Sequence, residues 1–160
     1  MPGLRCKRDL QRGQFIDTYR GEIITSDEAN RRGQDLTEDE NNFFFDYDKF
    51  RDTGAFETHR DYVCDGRYMG APTRFINHSC DPNCAIYTVS YNHNDRNIYE
   101  LAFFAREDIS RGTELTFDYY DQDEGLPVSD ARADEIEADK GYRPTRCLCG
   151  SEDCRRYLFT

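Results

Sequence analysis

Three closely spaced cysteines near the end of the printed sequence constrain this chain more than any other feature. They are Cys147, Cys149 and Cys154, in a C-x-C-x4-C pattern that includes Gly150. Tetrahedral zinc takes four ligands, and three thiolates this close in sequence can occupy three of the four corners. Reduced surface thiols and a local disulfide are the alternatives, but the glycine and the neighbouring basic residues favour a metal-binding turn. The pattern therefore predicts a zinc site.

The fourth zinc ligand has to come from another part of the chain. The candidates are the other cysteines, Cys6, Cys64, Cys80 and Cys84, and the histidines. Cys80 is favoured because it lies in a polar, turn-rich segment, 77–83, which reads Asn-His-Ser-Cys-Asp-Pro-Asn and requires an anchor outside itself. Spacing alone does not decide among the candidates.

Length and charge limit the class of protein and the kind of partner. A chain of 160 residues supports one domain with one core. It carries 21 Lys and Arg against 32 Asp and Glu, a net charge of −11, which disfavours direct binding to nucleic acid or to anionic membranes and suits a basic peptide partner. A well-solvated acidic surface explains the charge equally well. Seven cysteines without a secretory signal favour metal binding in an intracellular protein over a disulfide framework.

Short aromatic and β-branched stretches predict strands rather than long helices. They cover 10–24, with breaks at two glycines, and 43–50, 85–89, 98–105 and 114–119. Thr25 and Glu28 have the spacing of a capping box, which predicts a short helix that ends near Gly33. Residues 121–140 are acidic and lack apolar periodicity, so they predict a flexible linker. The predicted fold class is mostly β with short helices, irregular rather than a sandwich.

Four motifs in the chain resemble those of the SET-domain protein lysine methyltransferases. They are Tyr-Arg-Gly-Glu at 19–22, Arg-Phe-Ile-Asn-His-Ser-Cys-Asp-Pro-Asn at 74–83, Glu-Leu-Thr-Phe-Asp-Tyr at 114–119, and the C-terminal C-x-C-x4-C, which resembles the post-SET zinc motif. Their residues are most similar to those of the heterochromatin Su(var) type, which methylates the histone H3 tail. The probability that four motifs occur in the family's order by chance is very small.

The resemblance implies a fold, a domain division and a reaction. The fold is the SET-domain β-clip, in which the N-H-S-C and F-D-Y segments thread past each other in a knot-like arrangement. The implied division is a SET domain at 1–120, an acidic flexible linker at 121–142 and a post-SET zinc-binding segment at 143–160. The implied activity is S-adenosylmethionine-dependent methylation of a lysine ε-amine on the histone H3 tail, in the nucleus, on chromosomes.

The resemblance also implies roles for individual residues. The S-adenosylmethionine contacts are expected at Gly3, Phe43, Arg74, Asn77 and His78. Tyr119 matches the catalytic tyrosine, Tyr19 the tyrosine whose hydroxyl holds the target amine, and Phe117 the position that limits how many methyl groups fit. With phenylalanine at that position, a dimethyl or trimethyl product is expected. In this family the cysteine of N-H-S-C completes the zinc site, which selects Cys80 beside Cys147, Cys149 and Cys154, and Phe159 matches the aromatic residue that closes the lysine channel.

Departures from the family pattern leave a second hypothesis open. The G-x-G strand that contacts the cofactor is matched only at its second glycine, Gly3, and Phe43 replaces the usual tyrosine and its hydroxyl. The cysteine-rich pre-SET segment is also absent, so the chain is expected to be an N-terminally truncated methyltransferase. The alternative function is a catalytically weak SET module that binds a basic tail or a protein partner. A purely structural zinc module would leave the two motif tyrosines unexplained.

Overall fold

The computed structural model describes residues 3–34, 43–49, 62–91, 97–120 and 128–158. Its strands are β1 (Phe15–Tyr19), β2 (Glu22–Thr25), β3 (Phe44–Asp46), β4 (Tyr62–Asp65), β5 (Asn77–His78), β6 (Cys84–Val89), β7 (Glu100–Ala105), β8 (Thr116–Phe117), β9 (Thr145–Arg146) and β10 (Tyr157–Leu158). Its helices are α1 (Ser26–Gly33) and α2 (Asp130–Lys140), with one 3₁₀ turn at Pro72–Phe75. The fold is therefore mostly β and irregular, as the sequence predicts.

Two antiparallel three-stranded sheets carry most of the core. One sheet has the order β1-β7-β6 and the other has the order β2-β4-β3. The central strand β7 is the apolar run that the sequence analysis predicts at 98–105, and its Phe103 is completely buried. Tyr19 from β1 and Cys64 from β4 belong to the same apolar cluster as Phe103, so one continuous core joins the two sheets.

Helix α1 begins where the capping-box spacing predicts it. The Thr25 hydroxyl accepts a hydrogen bond from the Glu28 backbone N–H, at 3.3 Å, and so satisfies one of the donors at the helix N-terminus. Arg32 in the last turn then reaches both Glu28 and the buried Asp65 of β4. The ion pair between Arg32 and Asp65 attaches α1 to the β2-β4-β3 sheet.

The interpretation of residues 121–140 as a flexible linker is wrong for the part that the structure describes. Ser129 accepts a hydrogen bond from the Arg132 N–H at 3.2 Å and caps α2, and Gly141, with φ of 76°, ends it. Ala133 and Ile136, three residues apart, are both buried. Two apolar positions and two good caps are enough for a three-turn helix that packs on a neighbour, although they are too few to form a recognisable periodicity. Neither helix in the described ranges is long and apolar enough to cross a membrane.

Candidate active site and metal centre

The centre of the site is a two-stranded parallel contact between the segments of the two signature motifs. Asn77 of β5 lies opposite Thr116 of β8, and His78 lies opposite Phe117. The Ser79 N–H extends the contact by donating to the Phe117 carbonyl at 3.0 Å. The two motifs, far apart in sequence, therefore meet side by side.

The Asn83 side chain also holds the two motif segments together. Its amide donates to the Glu114 carbonyl at 2.8 Å, and its side-chain oxygen accepts from the Thr116 N–H at 2.9 Å. An asparagine supplies a donor and an acceptor from one planar group, so it can replace a missing pair of backbone partners. This explains why the polar segment 77–83 is stable inside the fold without forming a longer strand.

Four aromatic side chains form a cluster around Phe117, and we call them the aromatic cluster: Tyr19, Phe45, Phe117 and Tyr119. The ring centroids of Phe117 and Tyr119 are 4.7 Å apart, and Phe45 stacks on Phe117 at 6.4 Å. The ring centroids of Tyr19 and Phe45 are 5.4 Å apart. Phe103 of the core supports Phe117 at 5.0 Å. Three members of the cluster were predicted from the motifs, whereas Phe45, the ring between Tyr19 and Phe117, was not, although its position in the strand-like stretch 43–50 could have suggested it.

Both tyrosine hydroxyls of the cluster are held by backbone carbonyls. The Tyr119 hydroxyl donates to the Ile76 carbonyl at 2.9 Å, and the Tyr19 hydroxyl donates to the Phe43 carbonyl at 2.7 Å. A side chain at Gly66 would come within 2.8 Å of the Tyr19 oxygen, so glycine leaves the space that this hydroxyl occupies. Burial raises the pKa of Tyr119 to about 12 and also raises the pKa of Tyr19. Both hydroxyls therefore stay protonated at neutral pH.

His78 connects the catalytic-motif tyrosine to the cysteine segment. Its Nδ1 accepts a hydrogen bond from the Tyr119 N–H at 3.2 Å, and its Nε2 lies 3.3 Å from the sulfur of Cys80. Burial lowers the pKa of His78 to about 4, so the ring is neutral at pH 7. The acceptor role of Nδ1 assigns the proton to Nε2, from which it points to the Cys80 sulfur.

The four cysteines named by the sequence analysis lie together. The sulfur atoms of Cys80, Cys147, Cys149 and Cys154 are all within 4.8 Å of one another, and those of Cys80 and Cys147 are 3.8 Å apart. Zinc–sulfur bonds of about 2.3 Å in a tetrahedron separate the sulfurs by about 3.8 Å, so the cluster fits a zinc ion. Gly150, with φ of 74°, adopts the left-handed conformation that turns the chain between the second and third cysteine. The cysteines thus join the C-terminal segment to the centre of the site.

Comparison with known proteins agrees with this geometry. The family model described as the SET domain matches residues 2–120. The chain belongs to the SET-domain family.

Among curated SET proteins, the H3 lysine-9 specific histone-lysine N-methyltransferase dim-5 of Neurospora crassa is 44% identical over 162 residues, covering 98% of this chain and 47% of the relative. The histone-lysine N-methyltransferase Su(var)3-9 of Drosophila melanogaster is 37% identical over 161 residues, covering 98% of this chain and 23% of the relative. The likeness to the Su(var) type is therefore confirmed. The chain spans less than half the length of these two relatives.

Solved structures of SET proteins match the fold as well. The structure of the Neurospora SET-domain protein DIM-5, a histone lysine methyltransferase, matches with a TM-score of 0.69 and 45% identity over 79% of this chain and 51% of that chain. The structure of Arabidopsis thaliana SUVH6 in complex with SAM matches with a TM-score of 0.67 and 27% identity, over 98% of this chain and 30% of that one. The prediction of a SET-domain fold is confirmed.

The residues expected to contact S-adenosylmethionine surround the same segment of the SET fold. A side chain at Gly3 would overlap the Glu114 carboxylate and come within 2.8 Å of the Asn77 amide, so Gly3 packs directly on Asn77. The Asn77 amide donates to the Glu114 carboxylate at 2.8 Å. At the other end, the Phe43 ring meets the Phe75 ring edge-on at 6.0 Å.

Arg74 offers a buried polar group to a ligand. Its guanidinium lies 4.7 Å above the Phe75 ring and donates through Nη1 to the Gly66 and Arg67 carbonyls, at 2.6 and 3.2 Å. Its Nε is buried and has no hydrogen-bond partner among the described residues. Buried donors in native proteins are normally satisfied, so a free one in the same motif as Asn77 and His78 fits a polar small molecule such as S-adenosylmethionine.

The structure adds an ion pair that the sequence analysis does not include. Asp118, within the F-D-Y motif, pairs with Arg155, the residue after Cys154. The signal available in the sequence was an acidic residue inside the F-D-Y motif and a basic residue directly after the C-x-C-x4-C motif. Phe159, the expected channel-closing aromatic, lies outside the described residues.

Proposed function

We propose that this chain transfers methyl groups from S-adenosylmethionine to the ε-amine of a lysine in the histone H3 tail, at lysine 9. The observation that carries the proposal is the aromatic cluster, in which the rings of two neutral tyrosines are joined by Phe45 and Phe117 and the Tyr119 hydroxyl bonds to the segment 74–78 at Ile76. The relatives dim-5 and Su(var)3-9 are histone-lysine N-methyltransferases, which supports a histone substrate, and dim-5 is H3 lysine-9 specific, which supports lysine 9.

The aromatic cluster provides surroundings that favour the neutral form of the target amine, which is the main chemical requirement of the reaction. The nucleophile must be a neutral amine, yet free lysine has a pKa near 10.4, so well under ~1% is neutral at pH 7. Aromatic walls remove water from the ammonium group and lower its pKa, while cation–π attraction still tolerates the charged, methylated product. Because Tyr19 and Tyr119 stay protonated, neither adds an anion that would favour the ammonium form.

Each aromatic residue has a separate role in the proposal. Tyr119 is the catalytic tyrosine that orients the reacting groups, and Tyr19 holds the target amine through its hydroxyl. Phe117 limits how many methyl groups fit and, without a hydroxyl, leaves space for a second and a third. Phe45 forms the wall between Tyr19 and Phe117. Methyl transfer is an in-line displacement, so this positioning supplies most of the catalysis.

The cofactor contacts are proposed at Gly3, Phe43, Arg74, Asn77 and His78. S-adenosylmethionine, when bound, supplies an electrophilic methyl group on a sulfonium. The free Nε of Arg74 and the Asn77 amide are suited to its polar groups, and Gly3 allows the backbone to approach closely. Phe43 offers a ring but no hydroxyl, which predicts a weaker cofactor affinity than a tyrosine would give.

The metal-bound segment completes the site in the proposal. Cys80, Cys147, Cys149 and Cys154 hold one structural zinc ion, and Phe159 closes the lysine channel at the end of that segment. The proposed division is a SET domain at 1–120, a linker at 121–142 that contains α2, and a post-SET segment at 143–160. The net charge of −11 suits a basic histone tail. A histone substrate places the protein in the nucleus, on chromosomes.

Mass spectrometry of a histone H3 tail peptide after incubation with the chain and S-adenosylmethionine tests the proposal. The wild-type chain should add two or three methyl groups to lysine 9. Tyr119→Phe should lose about 100-fold or more in rate, because it removes a positioning hydroxyl and no packing volume. Phe117→Tyr should stop mainly at one methyl group, because its new hydroxyl would hold a water molecule against the amine. Tyr87→Phe, on an exposed tyrosine of β6, is the control and should change nothing.

Two results would contradict the assignment. One is a wild-type product that stops at monomethyl lysine, and the other is a Tyr119→Phe protein that methylates normally. A wild-type chain that binds the peptide in calorimetry but never methylates it would instead support a SET module that only binds a basic tail.

A further inference from the structure

Arg155 is fixed at its backbone by the cysteine cluster and by the start of the C-terminal segment. It follows Cys154 directly, and its N–H points to the sulfur of Cys80 at 3.4 Å. Its carbonyl accepts a hydrogen bond from the Val128 N–H at 2.9 Å. The position of Arg155 therefore depends on whether the C-terminal segment is ordered around the sulfurs of Cys80 and its own three cysteines.

The side chain of Arg155 reaches into the F-D-Y motif. Its guanidinium forms an ion pair with the Asp118 carboxylate, and the two side chains are only 12% and 11% exposed. The same guanidinium lies 5.8 Å from the centroid of the Tyr120 ring. The Asp118 carboxylate also accepts the Tyr120 N–H at 3.1 Å. Both chain neighbours of Tyr119 are thus in contact with one arginine.

Tyr119 has two other hydrogen bonds and two ring contacts. Strand β8 ends at Phe117, and beyond it Tyr119 has its N–H bond to His78 and its hydroxyl bond to Ile76. Its ring lies 4.7 Å from the Phe117 ring and 5.2 Å from the His78 ring. The Asp118 carboxylate lies 3.6 Å from the same His78 nitrogen that accepts the Tyr119 N–H. Two acceptors at this distance repel each other unless a cation lies beside them, and Arg155 is that cation.

We propose that Arg155 is a positioning residue, which holds Tyr119 in place through Asp118 and so makes the geometry of the active site depend on the order of the cysteine-bound C-terminal segment. The inference rests on the proposed role of Tyr119. The planar guanidinium presents its donors to a carboxylate in a fixed orientation, so it can transmit position as well as charge. Lysine keeps the charge but offers no such planar geometry.

Fluorine NMR of the zinc-loaded chain, with fluorotyrosine at all tyrosine positions, gives a direct readout of Tyr119. The Tyr119 resonance is assigned by its loss in Tyr119→Phe. Arg155→Ala should shift or broaden it, while the core tyrosines Tyr47 and Tyr99 keep their resonances. Arg155→Lys should give a smaller shift. Arg156→Ala, on the exposed neighbouring arginine, is the matched control and should leave the spectrum unchanged.

Removal of zinc provides the second arm of the experiment. In the wild-type chain, a chelator should move the Tyr119 resonance in the same direction as Arg155→Ala does. In Arg155→Ala, the chelator should add little further change, because the connection to Tyr119 is already broken. In methylation assays, Arg155→Ala should lower kcat by about tenfold or more, with KM for both substrates within about threefold and zinc content unchanged.

The outcomes separate this inference from the proposed function. An unshifted Tyr119 resonance in Arg155→Ala or Asp118→Asn overturns the inference, and so does a chelator effect of equal size in wild type and Arg155→Ala. If Arg155→Ala loses its zinc or its fold, Arg155→Lys decides by the same resonance. A wild-type chain that never methylates, but whose Tyr119 resonance follows Arg155 as described, contradicts the proposed function and supports the positioning role.

Discussion

The residues up to 120 and the C-terminal segment 128–158 are stabilised by different means. In the described ranges up to 120, fourteen buried side chains form one apolar cluster that spans both three-stranded sheets. In 128–158, five apolar side chains are buried: Ala133, Ile136, Pro144, Cys147 and Tyr157. The strands there are only two residues long and pair with each other.

The second region has a much smaller core than the first. Each fully buried large apolar side chain contributes roughly 1.5–3 kcal/mol, so five of them contribute about 15 kcal/mol at most. We therefore expect the cysteine cluster and the ion pairs to contribute a larger share of the stability in 128–158 than in the region up to 120. The half of the site that the second region supplies should be the half that can be lost.

The largest expected effect is the loss of structure in 128–158 when zinc is removed. Structural zinc contributes about 10–16 kcal/mol in small peptides, which is as large as all the burial available to this segment. A chelator, or Cys154→Ser, should abolish protection of the Cys147 N–H, which bonds to the Arg156 carbonyl at 2.8 Å. Hydrogen-exchange mass spectrometry should show the two large sheets still protected. Metal analysis should find one zinc per folded wild-type chain.

Cys6→Ser is the matched control for this experiment, since Cys6 is buried in the main core and lies outside the cysteine cluster. It should bind one zinc and keep 128–158 protected. Persistent protection of 128–158 in the metal-free wild-type chain would show that the two regions do not differ in the way described.

The second-largest expected effect is a loss of stability in the region up to 120. Phe103→Ala removes a completely buried ring of β7 and should lower the free energy of unfolding by about 3–5 kcal/mol, through lost burial and the cavity left behind. Urea denaturation measures it. Phe15→Ala, on a half-exposed ring of the same sheet, should cost about 1 kcal/mol or less. Similar losses in the two variants would mean that the large sheets depend little on their core.

The smallest expected effect is the loss of stability when a buried ion pair in the region up to 120 is removed. Its size depends on pH. Burial alone would raise the pKa of Asp65, but hydrogen bonds from Arg67 and Arg32 outweigh it and lower the pKa to about 2. Because the folded-state pKa lies below the unfolded value near 3.8, the carboxylate stabilises the fold above pH 4, and this stabilisation is lost as the pH falls toward 2. Asp65→Asn should therefore cost about 2 kcal/mol at pH 7.

The cost of Asp65→Asn should shrink steadily between pH 5 and pH 2 in urea denaturation. Asp139→Asn, on an exposed carboxylate of α2, is the control, with a change of about 0.5 kcal/mol or less. A cost of Asp65→Asn that is the same at pH 7 and pH 3 would mean that the ion pair does not stabilise the fold.

The sequence predicted the two regions unequally well. Strands β1, β2, β6 and β7 and helix α1 lie where local composition and the Thr25 cap predict them, because their signals are carried by neighbouring residues. The cysteine cluster was also predictable, since three of its members are adjacent in sequence and the family motif supplies Cys80. Helix α2 was not, because its stability comes from two caps and from the packing of Ala133 and Ile136 rather than from a repeated apolar pattern.

The contacts between motifs were beyond local sequence reasoning. The interposition of Phe45 between Tyr19 and Phe117 depends on how β3 packs beside β1, which no spacing encodes. The pairing of Asp118 with Arg155 requires the C-terminal segment to return to the F-D-Y motif. Such contacts are set by tertiary structure, and the motifs indicate only which residues take part.

The parallel pairing of β5 with β8 determines when the site can form during folding. Asn77 and Thr116 are about forty positions apart, whereas β6 and β7 between them are near neighbours in sequence and pair along their whole length. Local antiparallel pairs close first, and contacts across long loops form later because of their entropy cost. In pulse-labelled refolding, the Ser79 N–H that bonds to Phe117 should gain protection after the amides of β6 and β7. A newly made chain can therefore pair β6 with β7 before it has an active site.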